Sequence, residues 1–213
     1  MKIDVVVSQL LCSRLCHDLV GPSGGINAGI ELMAEDGSDG SALDLIGKSA
    51  EQMSRCLAFF RIAFGFASGE GATDVDAVRA LASGWLDGGK VRLDWPATKR
   101  AELPVGGVKV VLNMILMAAE SLPRGGDLQI ALGALPEGTG IAVTANGEGA
   151  SIKDEIARAL TPDVAIEELS AHNVHAYFAQ CLARQLGGLI ETEMGAGGEA
   201  RLSVLIPTSD AEN

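Results

Sequence analysis

The chain holds three histidines, and His17 stands where it can do chemistry. An acid, Asp18, follows it at once in the string HDLVGP (17–22). An imidazole is largely neutral near pH 7, since its unperturbed pKa is about 6.5. One ring nitrogen can attack an electrophile such as phosphorus while the other keeps its proton on an acceptor. Asp18 is the acceptor or general base at hand, and its carboxylate offsets the positive charge that develops on the ring. One helical turn away lie Ser13, Arg14 and Gly21. Arg14 is the candidate to hold phosphoryl oxygens, and Gly21 leaves room for an incoming protein surface. Taken alone, a surface histidine is more often inert, so context must decide.

Other reactive types support less. The four cysteines are Cys12, Cys16, Cys56 and Cys181, and no C-x-x-C pair occurs. Cys12 and Cys16 before His17 give C-x-x-x-C-H, not the spacing of a haem attachment string. Free thiols are expected. His172 and His175 are spaced i, i+3 and share a helix face. Further ligands are lacking nearby, so no metal is expected and the pair reads as a polar helix start.

The elements that position His17 come next. Leu15, Leu19, Pro22, Ile26, Gly29 and Met33, with Leu11 and Ile30 beside them, trace one apolar seam. Leu43, Ile46, Ala50, Met53, Leu57, Phe60 and Phe64 trace a second with heptad spacing. The turn formers EDGSDGS (35–41) separate them, so an antiparallel helical hairpin is expected. On the first helix His17 lies about 200° from Leu15 and Leu19, at 100° per residue. It therefore points away from the seam. Pro22 and glycines 21, 24, 25 and 29 predict a kink or a close backbone approach. A lone hairpin leaves its stripe in water. A second copy would close it into a dimeric four-helix bundle; the alternative is that the rest of the chain covers it.

The remainder mixes periods. Helices are expected over 74–87, with an imperfect Thr73–Asp76 capping box, and over 105–122 and 172–187. Strands are expected over 90–95, 127–133, 139–145, 189–194 and 200–207. The fold class is thus α+β: a hairpin over 1–70, a linker near 68–73, and an α/β sandwich over 71–213. The formal charge is −12, from 16 basic and 28 acidic residues, which argues against a general nucleic-acid binder. Hydrophobic residues make up 47% and charged residues 21%, a foldable composition. The opening stretch lacks a basic n-region, and Arg14, His17 and Asp18 interrupt its apolar run; a cytoplasmic protein without a membrane span is expected.

HDLVGP resembles the H-box of sensor histidine kinases: histidine, acid, leucine, and a proline five residues after the histidine. KVVLNMILMAAESLPRGGDLQI resembles the N-box helix of the kinase ATP-binding domain, with the turn and strand after it. VTANGEGASI resembles the first glycine box, and HNVHAYFAQCLARQLGGLIETEMGAGGEARLSVLIP the second through the final hairpin. The departures fall on the nucleotide. Asn113 persists, but Met117 stands where such kinases keep a metal-binding asparagine, and a thioether is a poor Mg²⁺ ligand. Ala145 replaces the aspartate that would accept the adenine amino group. Asn173-Val174-His175-Ala176 replaces the glycine-rich turn at the phosphates. Gly147 and Gly149 remain. The resemblance therefore implies a degenerate ATP-binding domain that binds no nucleotide.

A kinase-like dimer with an intact phosphoacceptor resembles the ChpT-type histidine phosphotransferases of the alphaproteobacterial cell-cycle phosphorelay. The string LLCSRLCHDLVGPSGGINAGIELM carries the closest likeness. This implies that His17, with Asp18, takes a phosphoryl group from the receiver aspartate of a CckA-like hybrid kinase and passes it to CtrA-like or CpdR-like response regulators. Arg14, Gly21 and Pro22 would support the site. Leu10, Ser13, Arg14, Gly21 and Gly24 would meet the receiver, with the second domain as a smaller docking surface. No cofactor is implied, because the receiver supplies its own Mg²⁺. Gly21 stands where kinases with phosphatase activity usually keep Thr, Ser or Asn, which speaks against water-directed dephosphorylation. The rival readings are an ATP-dependent histidine kinase with an atypical site and a pseudo-kinase adaptor that only binds receivers.

Overall fold

The computed structural model describes residues 4–36, 40–65, 74–96 and 103–208. Helix α1 runs Val5–Asp36 and α2 Gly40–Ala63, the expected hairpin. Asp4 caps α1, its Oδ1 accepting from the Val6 amide at 2.8 Å. The helix continues through Pro22, which is buried on the seam. The close approach falls at two glycines. A Cβ on Gly25 would stand 2.3 Å from Ser49 Oγ, and one on Gly29 would stand 2.6 Å from Ile46 Cγ1 and 3.0 Å from the Ala42 carbonyl. The first helix thus trades propensity for contact with α2.

The stripe that α2 buries within this chain is Ala42, Ser49, Cys56, Phe59, Phe60 and Ala63. It runs beside the expected seam and shares Phe60 with it, and Leu43 and Leu57 stay 54% and 46% exposed. Toward its C-terminal end α2 enters the main core. There Phe59 stacks on Trp85 with ring centroids 4.4 Å apart, and Phe64 meets Phe178 at 6.1 Å. The second half of the chain therefore covers one end of the stripe and leaves the other open.

Helix α3 (Val75–Leu86) starts at Asp74, whose side chain accepts from the Asp76 amide at 2.9 Å. Asp74 is the cap rather than a Thr73–Asp76 box; Thr73 and the linker at 68–73 lie outside the described residues. Strand β1 (Val91–Asp94), helix α4 (Gly107–Glu120), strands β2 (Gly126–Leu135) and β3 (Gly138–Asn146), and helix α5 (Asp154–Ala159) follow. A 3₁₀ turn at Ile166–Glu168, helix α6 (Val174–Gln185), and strands β4 (Glu191–Met194) and β5 (Ala200–Pro207) complete the elements of the described residues. Six-residue α5 was not expected, since so short a segment shows no period.

The sheet order is β1-β2-β3-β5-β4; β1 pairs parallel to β2 and the other pairs are antiparallel. Leu128, Ile130, Ile141, Val143, Ala145, Leu202, Val204 and Ile206 alternate inward. They meet α4, which is buried on nearly every side from Val108 to Ala118. Helix α6 packs on α4 and also touches α1. That contact places the second half against His17.

Candidate functional site

His17 is on the outer side of α1, with its side chain 70% exposed. Its Nδ1 lies 3.1 Å from Asp18 Oδ1. Asp18 offers its other oxygen, Oδ2, to Arg14 Nε at 2.8 Å, an i, i+4 pair along the helix. The acid expected beside the ring is thus in place and itself anchored.

Arg14 corrects an expectation. It is only 8% exposed and points into the protein. Its guanidinium donates to both Asp18 and Glu120 Oε1. All its reach is inward, so it neither lines a docking face nor presents itself to a phosphoryl group. The reason is tertiary: α6 packs on the flank of α1 where Val7 and Arg14, two turns apart, are buried, and Glu120 at the end of α4 reaches Arg14 there. Burial opposes the charge on Arg14, but Glu120 and Asp18 outweigh it and hold its pKa above the ordinary value. Burial likewise favours a neutral Glu120, yet His175 and Arg14 overcome that and hold its carboxyl below the usual range.

His175 is fully buried, with Nε2 3.2 Å from Glu120 Oε2. Its Nδ1 lies 3.5 Å from Arg14 Nη1. His172, on the turn before α6, sets its ring edge-to-face with that of His17, centroids 5.8 Å apart. The i, i+3 pair is therefore no mere polar helix start: one ring meets His17 and the other closes a buried network. No cluster of metal-binding side chains occurs among the described residues. Glu120, His172 and His175 were missed as parts of this site. Glu120 had one legible signal, as the single acid closing an otherwise apolar helix.

The remaining expected positions divide. Ser13, Gly21 and Gly24 are exposed on the outer side, and a Cβ at Gly21 or Gly24 would meet nothing within 4 Å. Leu10 is half-buried, and Pro22 faces inward, away from His17. At the kinase-like positions, Asn113, Met117 and Ala145 are fully buried. Asn113 Nδ2 donates to the Ala63 carbonyl at 3.1 Å and to the Lys109 carbonyl at 2.8 Å. It ties α4 to the end of α2, where Lys109 also donates to the Gly65 carbonyl. Gly147 is required by packing, since a Cβ there would sit 2.4 Å from the Gly125 carbonyl. Gly149 has φ +75°, in the left-handed region. No helix among the described residues is long and apolar enough to cross a membrane.

Comparison with known proteins gives four likenesses. Residues 75–198 match the family model of the histidine phosphotransferase C-terminal domain. The chain is 35% identical over 182 residues to the protein phosphotransferase ChpT of Brucella abortus, covering 85% of this chain and 87% of that protein. It superposes on the structure of a bacterial phosphotransferase with a TM-score of 0.83 and 32% identity, covering 96% of this chain and 98% of the other. The histidine kinase AdeS of Acinetobacter baumannii shares the fold at a TM-score of 0.51 and 15% identity, over 91% of this chain and 98% of that one.

Proposed function

This chain belongs to the histidine phosphotransferase family, and on that premise we propose that His17 is the residue that carries the phosphoryl group. The observation that supports the reading is the exposed His17 ring with Nδ1 on an anchored Asp18 carboxylate. Nδ1 keeps its proton on Asp18, which leaves the lone pair of Nε2 free to attack. As the P–O bond of a receiver aspartyl phosphate breaks, a P–Nε2 bond forms and the receiver carboxylate regains its charge. Asp18 balances the positive charge left on the imidazole. The reverse step delivers the group to a second receiver. Mg²⁺ belongs to the receiver, and this chain needs no cofactor of its own.

The donor is the receiver of a CckA-like hybrid kinase, and the acceptors are CtrA-like and CpdR-like response regulators. The receiver covers the face of Ser13, Gly21 and Gly24, where small residues permit close approach, with Leu10 at its margin. Residues 1–70 act as the dimerisation and phosphotransfer unit and 71–213 as a kinase-like unit without its nucleotide task. Burial of Asn113, Met117 and Ala145 supports the loss of ATP binding. A homodimer forms through the hairpin, supported by the open stripe with Leu43 and Leu57 and the apolar groove between Leu11, Leu15, Leu57 and Phe60. The protein works in the cytoplasm.

The test is to mix the protein with a labelled phospho-receiver and follow the label. The wild type takes it up and His17→Ala does not, while Mg-ATP alone labels neither. Label on His17→Ala refutes the assignment. Self-labelling from ATP would make the protein a kinase, and receiver binding without phosphohistidine would make it an adaptor.

A further inference from the structure

We infer that Glu120 and His175 are positioning residues for His17, acting through Arg14 to set which nitrogen of the His17 ring is free to react; this rests on His17 being the phosphoacceptor. A guanidinium presents Nε and Nη2 as two parallel donors on one rigid edge, a fork that matches a single carboxylate bidentately. Here two acids divide that edge: Nε goes to Asp18 Oδ2 at 2.8 Å and Nη2 to Glu120 Oε1. Asp18 therefore gives Arg14 only one oxygen and keeps Oδ1 for His17 Nδ1 at 3.1 Å. Without the Glu120 charge, the whole edge is free to close on Asp18 and draw Oδ1 away from the ring.

His175 holds Glu120 in its place. Arg14 Nη1 can only donate, so His175 Nδ1, 3.5 Å away, must present its lone pair. That leaves Nε2 to carry a proton, 3.2 Å from Glu120 Oε2, a close contact without an aligned hydrogen bond. Every donor in the chain now has one direction. Arg14 donates to Glu120 and Asp18, and His17 Nδ1–H to Asp18, while His175 Nε2 lies in charge contact with Glu120 at 3.2 Å. The chain ends on a His17 ring with Nδ1 protonated and Nε2 bare, the tautomer that attack by Nε2 requires. Glu120 closes α4 and His175 opens α6, so the kinase-like half supplies this order to a site on the hairpin.

The experiment is nitrogen NMR of the full-length protein at a pH well above 7, where imidazoles are neutral, beside phosphoryl uptake from a phospho-receiver and from phosphoramidate. Wild-type His17 is expected as the Nδ1–H tautomer, opposite to the preference of free imidazole. Glu120→Gln and His175→Gln should each shift it toward Nε2–H. Both should slow uptake from both donors by about tenfold, as loss of one charge-assisted hydrogen bond does. A small donor makes no protein interface, so equal slowing separates positioning from docking. Glu120→Asp should recover part of the rate. If Glu120→Gln does not fold, Arg14→Lys carries the same test, keeping the charge but not the fork. A wild-type ring already in the Nε2–H form, or variants with unchanged tautomer and rate, would overturn the inference. Failure of the phosphoacceptor reading shows differently, as label persisting on His17→Ala.

Discussion

Arg14 gives the sharpest test, because a surface phosphoryl clamp and a buried ion-pair hub respond differently to Arg14→Ala. A surface clamp would lose transfer while stability stayed within about 0.5 kcal/mol. The structure instead leaves Glu120 and Asp18 without their cation. Breaking a buried pair by removing one partner costs about 3–5 kcal/mol. The Asp18 and Glu120 side chains are 20% and 23% exposed, so water screens part of the loss. The low end, about 3 kcal/mol, is therefore expected. At about 2–4 °C per kcal/mol for a chain of this size, the melting temperature should fall by about 6–12 °C. Arg14→Lys should lie between, since an ammonium is a point charge without the fork. The acid limb supplies a second signature. The Glu120 pKa is depressed in the folded protein, so its stabilisation is full above the unfolded value of about 4.3 and is lost as pH falls through the lower folded value. Without Arg14, burial acts on Glu120 with less opposition and its carboxyl takes up a proton at higher pH than in the wild type, so the gap between wild type and Arg14→Ala should be full at pH 8 and narrow as pH falls through the carboxylate range. Calorimetric melts across that range are the assay. An unchanged melting temperature for Arg14→Ala, or a gap that grows in acid, would refute the reasoning.

Gly24→Ala and Gly29→Ala should have opposite signs in urea denaturation. The first meets open space and gains about 0.5–1 kcal/mol of helix propensity, whereas the second presses on Ile46 and the Ala42 carbonyl and costs about 1–3 kcal/mol. Asn113→Ala should cost about 2–3 kcal/mol, because it removes the buried tie from α4 to the Ala63 carbonyl, yet phosphoryl uptake by the folded protein should be unchanged. His172→Ala removes the edge-to-face contact that orients the His17 ring. An aromatic contact is worth about 0.5–1.5 kcal/mol, so transfer in rapid-quench assays should slow about two- to tenfold while the melt stays put.

Periodicity alone carried much of the hairpin. The seam of α1 and the outward angle of His17 depend only on residues a few positions apart, and helix geometry converts such spacing directly into a face. The glycines of α1 announced a close approach for the same local reason, and contacts at Gly25 and Gly29 met it. The changed residues at Met117 and Ala145 were legible too, since a side chain's ligand chemistry is a property of its type. The fate of Arg14 was not. It stands one turn from His17, and only the packing of α6, with Glu120 reaching in from the end of α4, decides that this flank of the helix is inside. Glu120 and His175 lie more than a hundred residues from Arg14 in the chain and meet it solely through that packing. Asn113, retained at a kinase-like position, spends its amide on the end of α2. A helical pattern states which residues share a face, and the partner of each face is chosen by where the other elements settle around the core, which is why the ring and its acid were readable in the sequence and the network that aims them was decided by the tertiary structure.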